Sequence, residues 1–160
     1  MDQKALFLQF WEKESPVTRK VLSRVPQERS DYRVDPKART ARELAWVLVR
    51  EHILLGEGLI KGQLEWVEEP TPATMQEILD AYDSHHERVT SGMRSLDIGG
   101  WERDVPMTFQ GQEVMKMSGY ETAWSFLFDM IHHRAQLSTY LRPMGSTVPQ
   151  IYGPTADEPM

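Results

Sequence analysis

Apolar side chains recur every three or four residues in four segments of this 160-residue chain, which is the period of an α-helix with one buried face. The first segment runs from about residue 3 to residue 24, with Leu6 and Phe10 among its apolar positions. Within it, Ser15-Pro16 predicts a kink or two short helices, because proline lacks the amide that an inner helical turn requires.

Two further segments begin with a capping box, in which a hydroxyl and a carboxylate bind the free amides of a helix start. The box at 40–43 (Thr-Ala-Arg-Glu) predicts a helix that runs to about Lys61, before Gly62. The box at 74–77 (Thr-Met-Gln-Glu) predicts a third helix, which ends before Gly99.

The fourth helical segment extends from about residue 120 to residue 142 and stops at Pro143. Residues 100–119 lose the helical period and predict an extended loop or a small hairpin, and the proline-containing tail 146–160 predicts an extended segment. The fold class is therefore all-α, a four-helix bundle with long loops, in a single domain spanning residues 1–160.

Charge and composition restrict the partners and the metal ligands that this chain can have. The formal net charge of −6 and the scattered cations disfavour nucleic acid and membrane surfaces as partners, which leaves a small-molecule substrate as a candidate. The absence of cysteine excludes disulfides and thiolate ligands, so any metal must be bound by His, Asp or Glu. The charged N-terminus lacks the apolar run of a signal peptide, which predicts a cytoplasmic location.

The fourth helix carries a polar stripe at helical spacing. Its members are Ser125, Asp129, His132, His133, Gln136 and Tyr140. Arg134 and Arg142 fall on roughly the opposite side, and their charges are expected to face water. This rotation would turn Asp129 and His133 towards the core.

Other predicted helices offer ionisable partners. Glu51 and His52 flank the apolar stripe of the second helix, and both can reach the core. On the third helix, His86 lies in the apolar series whereas His85 is turned about 100 degrees away. Each of these residues taken alone is more commonly a satisfied core or boundary side chain, but three helices with inward ionisable groups favour a shared site.

A carboxylate beside an imidazole in an apolar surround needs compensation, which a divalent cation provides. Such a ligand set suits Zn, Ni, Fe or Mn without distinguishing among them. With fewer than four protein ligands, the ion would have room to bind water or a thiol and to acidify it. The competing interpretation is that Asp129 and His133 form a hydrogen-bonded pair that joins two helices.

The C-terminal third resembles the signature of the DinB/YfiT-like superfamily. The similar stretches are 128–142 (Phe-Asp-Met-Ile-His-His-Arg-Ala-Gln-Leu-Ser-Thr-Tyr-Leu-Arg), 143–145 (Pro-Met-Gly) and 148–158 (Val-Pro-Gln-Ile-Tyr-Gly-Pro-Thr-Ala-Asp-Glu). Earlier stretches at 32–37 and 40–46 also agree, as does the pattern of Tyr82 and His86. The resemblance implies a four-helix bundle that binds a divalent metal through one histidine of helix two and two histidines of helix four.

The resemblance places His133 at the final ligand histidine, and Asp129 at the position four residues earlier that is usually histidine. Val47 stands at the usual helix-two histidine, with Glu51 one turn later and His52 beside it. The implied metal ligands here are therefore Glu51, Asp129 and His133. Possible additional ligands are His52, His86 and His132.

Members of this superfamily are described as metal-dependent hydrolases or thiol transferases, and many are homodimers. The resemblance therefore implies an enzyme in which the ion activates water or a thiol; the alternative is a non-catalytic bundle with a degenerate structural or regulatory site. A homodimer is also expected because four tryptophans exceed what one small core readily encloses. These are Trp11, Trp46, Trp66 and Trp124.

Overall fold

Four long helices pack around one apolar core in the computed structural model, which describes residues 2–160. The elements in chain order are α1 (Gln3–Leu22), α2 (Ala41–Lys61), β1 (Leu64–Trp66), α3 (Met75–Ser95), α4 (Ile98–Glu102), β2 (Asp104–Phe109), β3 (Gln112–Ser118) and α5 (Gly119–Leu141). Helix α2 contacts both α3 and α5, and α1 contacts the same two helices from the other side. Over residues 2–160, no helix has the length and apolarity needed to cross a membrane.

The expected all-α architecture is confirmed only as a mostly helical fold, because a three-stranded sheet and the short α4 are added to the long helices. Strand β2 pairs with β3 in antiparallel register and with β1 in parallel register. The hairpin turns at Gln110 and Gly111, both with positive φ, as a two-residue hairpin turn requires. The hairpin was one of two alternatives predicted for residues 100–119; β1, only three residues long, was not predicted.

Capping explains where the helices begin. Both predicted capping boxes form: Thr40 and Thr74 each accept the amide of the glutamate three residues later, and each glutamate accepts the amide of its threonine. A third box, between Ser118 and Glu121, starts α5 and has the same sequence pattern. This third box leads the chain directly from the hairpin into the helix that carries the polar stripe.

Helix α1 differs from its predicted form in two ways. It continues through Pro16 without a break, so the alternative of two short helices is wrong. Phe7 and Trp11 are buried, whereas Leu6 and Phe10 of the expected stripe are among the exposed large apolar residues. The aromatic rings decide the rotation because Phe7 and Trp11 have ring partners in the core.

The rotation of α5 also differs from expectation, because Arg134 is 1% exposed instead of facing water. Its Nη2 donates to Glu14 Oε2 at 2.7 Å and to the Tyr152 hydroxyl at 2.7 Å, and its Nη1 donates to Thr18 Oγ1 at 3.2 Å. These partners lie on α1 and in the C-terminal tail, and they compensate the buried charge. Consequently Asp129 is exposed at the edge of the helix pair and does not face the core as predicted.

The tail after α5 is tied to α1 by polar contacts. Tyr152 donates its hydroxyl to Glu14 Oε2 at 2.9 Å. Further along, Glu158 accepts from Lys20 at 2.7 Å and from Arg24 at 2.5 Å. The tail therefore covers the buried Arg134–Glu14 ion pair and limits its contact with water.

The buried ion pair leads to a stability prediction. Glu14→Gln leaves Arg134 charged and uncompensated, so the free energy of unfolding should fall by about 3 to 5 kcal/mol. The matched control is Glu12→Gln on the same helix, where the pair with Arg94 is exposed and screened by solvent, so its loss should reduce the free energy of unfolding far less. Urea denaturation followed by circular dichroism measures both. Equal, small losses in the two variants would contradict a structural role for the buried pair.

Candidate metal centre

Glu51 brings a carboxylate into the interior next to α5. It lies near the middle of α2, among Leu44, Leu48 and Leu55 of the buried face, and is only 5% exposed. Its two carboxylate oxygens lie 3.0 and 3.1 Å from Nδ1 of His133. Glu51 is therefore satisfied by a single imidazole from the neighbouring helix, as far as the described side chains show.

Asp129 and His133 meet on one face of α5 because they are four residues apart. The Asp129 carboxylate oxygen lies 3.9 Å from His133 Nδ1. The side chain of His133 is 14% exposed, whereas that of Asp129 is 56% exposed. The three residues thus run from a buried carboxylate through a half-buried imidazole to a carboxylate at the surface.

The electrostatics of Glu51 and His133 favour retention of a proton by the pair. Burial raises the pKa of Glu51, because desolvation penalises its carboxylate. The hydrogen bond that His133 Nδ1 donates to Glu51 raises the pKa of His133 and outweighs the opposing effect of burial. Both shifts have the same direction, so the folded pair keeps its protons to higher pH than the same groups in the unfolded chain.

The donor atoms fit a divalent cation. Glu51, Asp129 and His133 each offer one ligand atom, and these atoms lie within 4.8 Å of one another. Ligands at about 2.0 to 2.2 Å from one ion are separated by up to about 4 Å, so a small movement of the exposed Asp129 would complete the set. A bound divalent ion would displace the proton shared by Glu51 and His133. The two carboxylates would then neutralise the positive charge of the ion.

An open cavity of about 560 Å³ is lined by Glu51 and Asp129, two of these three residues. Its apolar walls come from Trp66 of β1, Met107 of β2, Met115 of β3 and two phenylalanines of α5. Ser125, His132 and Asp129 supply polar groups along α5, and Glu51 reaches the cavity from α2. The small sheet therefore forms one wall of the cavity beside the predicted ligands.

The three additional histidines have different positions. His132 lines the cavity but is exposed, and the amide of Gln136 donates to its Nε2 at 2.8 Å. His52 and His86 form a separate pair, 3.2 Å apart between ring nitrogens, and Trp11 stacks on His52 at 4.3 Å. Burial lowers the pKa of His52 to about 3, which keeps it neutral. Neither His52 nor His86 belongs to the three-residue group.

Sequence reasoning missed the cavity wall on the small sheet. Trp66 lies in a three-residue strand, and Met107 and Met115 face each other across the hairpin. Helical periodicity carries no information on these residues. The alternation in 104–109 and 112–118 identifies the strands at best, and their position over α5 depends on contacts between distant segments.

Three comparisons with known proteins bear on this arrangement. The uncharacterized protein YrdA of Bacillus subtilis is 26% identical over 160 residues, covering 95% of this chain and 89% of YrdA. A DinB-like protein from Bacillus cereus has a similar solved structure, with a TM-score of 0.73 and 24% identity over 91% of this chain and 95% of that chain. The mycothiol-dependent maleylpyruvate isomerase is a more distant match, with a TM-score of 0.57 and 12% identity over 94% of this chain and 66% of that chain.

The structural matches share the fold, with helices and strands in a similar arrangement over most of the chain. The sequence pattern of the DinB family matches residues 1–159, nearly the whole length. This match confirms the resemblance inferred from the C-terminal signature. The chain belongs to the DinB family.

Proposed function

We propose that this DinB-family protein is a metal-dependent enzyme, a hydrolase or a thiol S-transferase, with Glu51, Asp129 and His133 as ligands. One observation carries the proposal: the buried carboxylate of Glu51 meets His133 and Asp129 at the edge of an apolar cavity. A site of this form offers both a cation-binding donor set and space for a substrate. Zn, Ni, Fe and Mn remain the candidate ions.

Different residues have different roles at this site. A divalent ion, when bound, would lower the pKa of a water or thiol that fills its open position. Without an ion, Glu51 holds the His133 ring in place through Nδ1; with an ion bound, Glu51 would instead supply negative charge to it. Trp66, Met107 and Met115 exclude water from one side of the cavity and offer apolar contact to a substrate.

One contact favours the alternative of a non-catalytic, structural or regulatory site. The direct hydrogen bond between His133 and Glu51 already satisfies the buried carboxylate and joins α2 to α5. A helix tether would require only these two residues. Asp129, exposed and 3.9 Å from the imidazole, adds little to a tether but completes a ligand set. Metal titration separates the two functions.

The first test is metal binding by the chelator-treated protein. Isothermal titration with Zn, Ni, Mn or Fe(II) should show one site per chain, and His133→Ala should abolish it. Asp129→Asn should weaken binding by at least the roughly 10- to 100-fold that loss of a supporting partner costs. His86→Ala is the matched control, since this histidine lies outside the ligand group, and its affinity should equal that of the native protein. Unchanged affinity in His133→Ala would contradict the assignment.

The second test is the pH dependence of stability in the metal-free protein. Because the pKa of Glu51 and that of His133 are both raised, their stabilising contributions are present at low pH. These contributions are lost as pH rises from each group's unfolded value through its folded pKa. The free energy of unfolding of the native protein should therefore fall, relative to that of Glu51→Gln, between about pH 5 and pH 8.

Glu57→Gln on the same helix is the control for that measurement. The hydrogen bond from Arg88 lowers the pKa of Glu57, so its contribution is lost only as pH falls below the ordinary glutamate range. Its difference from the native protein should therefore stay constant over the same pH interval. A constant difference for Glu51→Gln as well would show that the buried carboxylate does not hold an extra proton.

A homodimer is a separate part of the proposal. Trp11 is buried within the chain and gives no support, but Phe10, Trp124 and Phe128 form a row of neighbouring rings on α1 and α5. Phe128 is 62% exposed, which is unusual for so large an apolar side chain. Light scattering at micromolar concentration should give twice the mass of one chain, and Phe128→Ser should shift the mass towards that of a monomer. A native mass equal to one chain would contradict the dimer.

A further inference from the structure

A second depression, here called the basic groove, lies on the other side of Trp66 from the cavity. Its floor is the first half of α2, and its walls are the loop before α2 and the loop after β1. The groove has a volume of about 470 Å³ and a mostly polar lining. Its charged side chains are Arg33, Lys37, Arg39, Glu43, Arg50, Glu68 and Glu69.

Three of the cations in the basic groove have no anionic partner. Arg33, Lys37 and Arg39 are exposed, and no described ion pair or side-chain hydrogen bond involves their charged groups. Arg50, in contrast, is paired with Glu69 at 3.6 Å. Uncommitted cations gathered at one depression are notable in a chain whose net charge is −6.

The carboxylates of the groove reduce its positive charge but do not cancel it. Glu43 accepts the Thr40 amide at 2.7 Å in the α2 capping box, and this hydrogen bond lowers its pKa. Glu69 is paired with Arg50. Outside the Arg50–Glu69 pair, the lining therefore carries three positive charges and two negative charges, those of Glu43 and Glu68. The groove is therefore suited to an anion.

The basic groove and the metal-side cavity are neighbours. Trp66 lines both, and Arg50 lies over its ring, 4.5 Å from the centroid. On α2, Val47 lines the groove and Glu51 lines the cavity, and one helical turn separates them. The groove is also fixed to α5, because Tyr140 donates its hydroxyl to the Arg39 carbonyl at 3.3 Å.

The two depressions have complementary chemistry. Among its described lining residues, the cavity contains no lysine or arginine, and its acidic residues are Glu51 and Asp129. An anionic group is therefore repelled from the cavity unless a cation is bound, whereas an apolar group is accommodated there. The basic groove, whose unpaired cations attract an anionic group, lies only one helical turn away.

We propose that the basic groove binds the carboxylate or phosphate of a small molecule whose apolar body passes Trp66 into the cavity. Arg33 and Arg39 offer planar forks that match such anions, and Lys37 adds a mobile charge. The role of this molecule as a substrate rests on the proposed function. The binding of this molecule does not depend on the proposed function, because the groove residues are distinct from the three metal ligands.

A matched pair of fluorescent probes tests the proposal. Anilinonaphthalene sulfonate has an aromatic body and one anionic group, and N-phenylnaphthylamine has the same body without the charge. The combined variant Arg33→Gln, Lys37→Gln, Arg39→Gln should bind the sulfonate about tenfold more weakly than the native protein does. Its affinity for the uncharged probe should be unchanged. Equal sulfonate affinity in the variant and the native protein would overturn the proposal.

Two controls identify the source of the effect. Lys13→Gln removes an exposed cation of α1 outside the groove and should leave both affinities unchanged. In the native protein, added salt should weaken binding of the sulfonate but not of the uncharged probe, which tests the charge contribution without any substitution. Salt-independent sulfonate binding would count against the groove even if the triple variant failed to fold.

Competition distinguishes the two anion classes. Displacement of the sulfonate by inorganic phosphate would favour a phosphate ligand, and displacement by succinate would favour a carboxylate ligand. Displacement by neither anion would overturn the proposal. In metal-free His133→Ala, sulfonate binding should persist, because none of the groove cations is a metal ligand. Failure of the groove and failure of the metal site are thereby measured separately.

Discussion

The buried ion pair between Arg134 and Glu14 determines how α5 is rotated, and the position of the candidate site depends on that rotation. A guanidinium enclosed by α1 and the C-terminal tail cannot turn outward without losing Glu14, Thr18 and Tyr152 together. Because Arg134 points towards α1, the adjacent His133 points towards α2. His133 contacts the carboxylate of Glu51 there, and Asp129 remains at the rim of the cavity.

The site therefore lies at the boundary between core and surface, and exposure to solvent increases from Glu51 through His133 to Asp129. A fully buried pair of carboxylates would have required a cation for folding, since two like charges in the core repel each other. Here the outer carboxylate of Asp129 is hydrated, and the inner carboxylate of Glu51 is held by one imidazole. The buried carboxylate of Glu51 is therefore hydrogen-bonded without a ligand, and the three side chains still offer three donor atoms to a cation beside the cavity.

Local chemistry made the helices and the residues of the candidate site predictable. The capping boxes at Thr40 and Thr74 and the four-residue spacing of Asp129 and His133 need no knowledge of distant segments. The burial of Arg134 could not be predicted in this way, because its partner Glu14 lies 120 residues earlier in the sequence. The parallel pairing of β1 with β2 joins segments about forty residues apart, and a three-residue strand gives no periodic signal.

The enclosure of Glu14 by residues far along the chain has a consequence for biosynthesis. Glu14 leaves the ribosome 120 residues before Arg134 and 138 residues before Tyr152. At synthesis rates of about 5 to 20 residues per second, roughly 7 to 28 seconds pass before its hydroxyl partner exists. For most of that interval the carboxylate of Glu14 has no counter-ion, and for all of it the carboxylate lacks the cover of Tyr152. Final packing around Glu14 therefore waits for the synthesis of Tyr152, and a nascent chain stopped before Tyr152 would expose an incompletely covered ion pair to the cell's proteases.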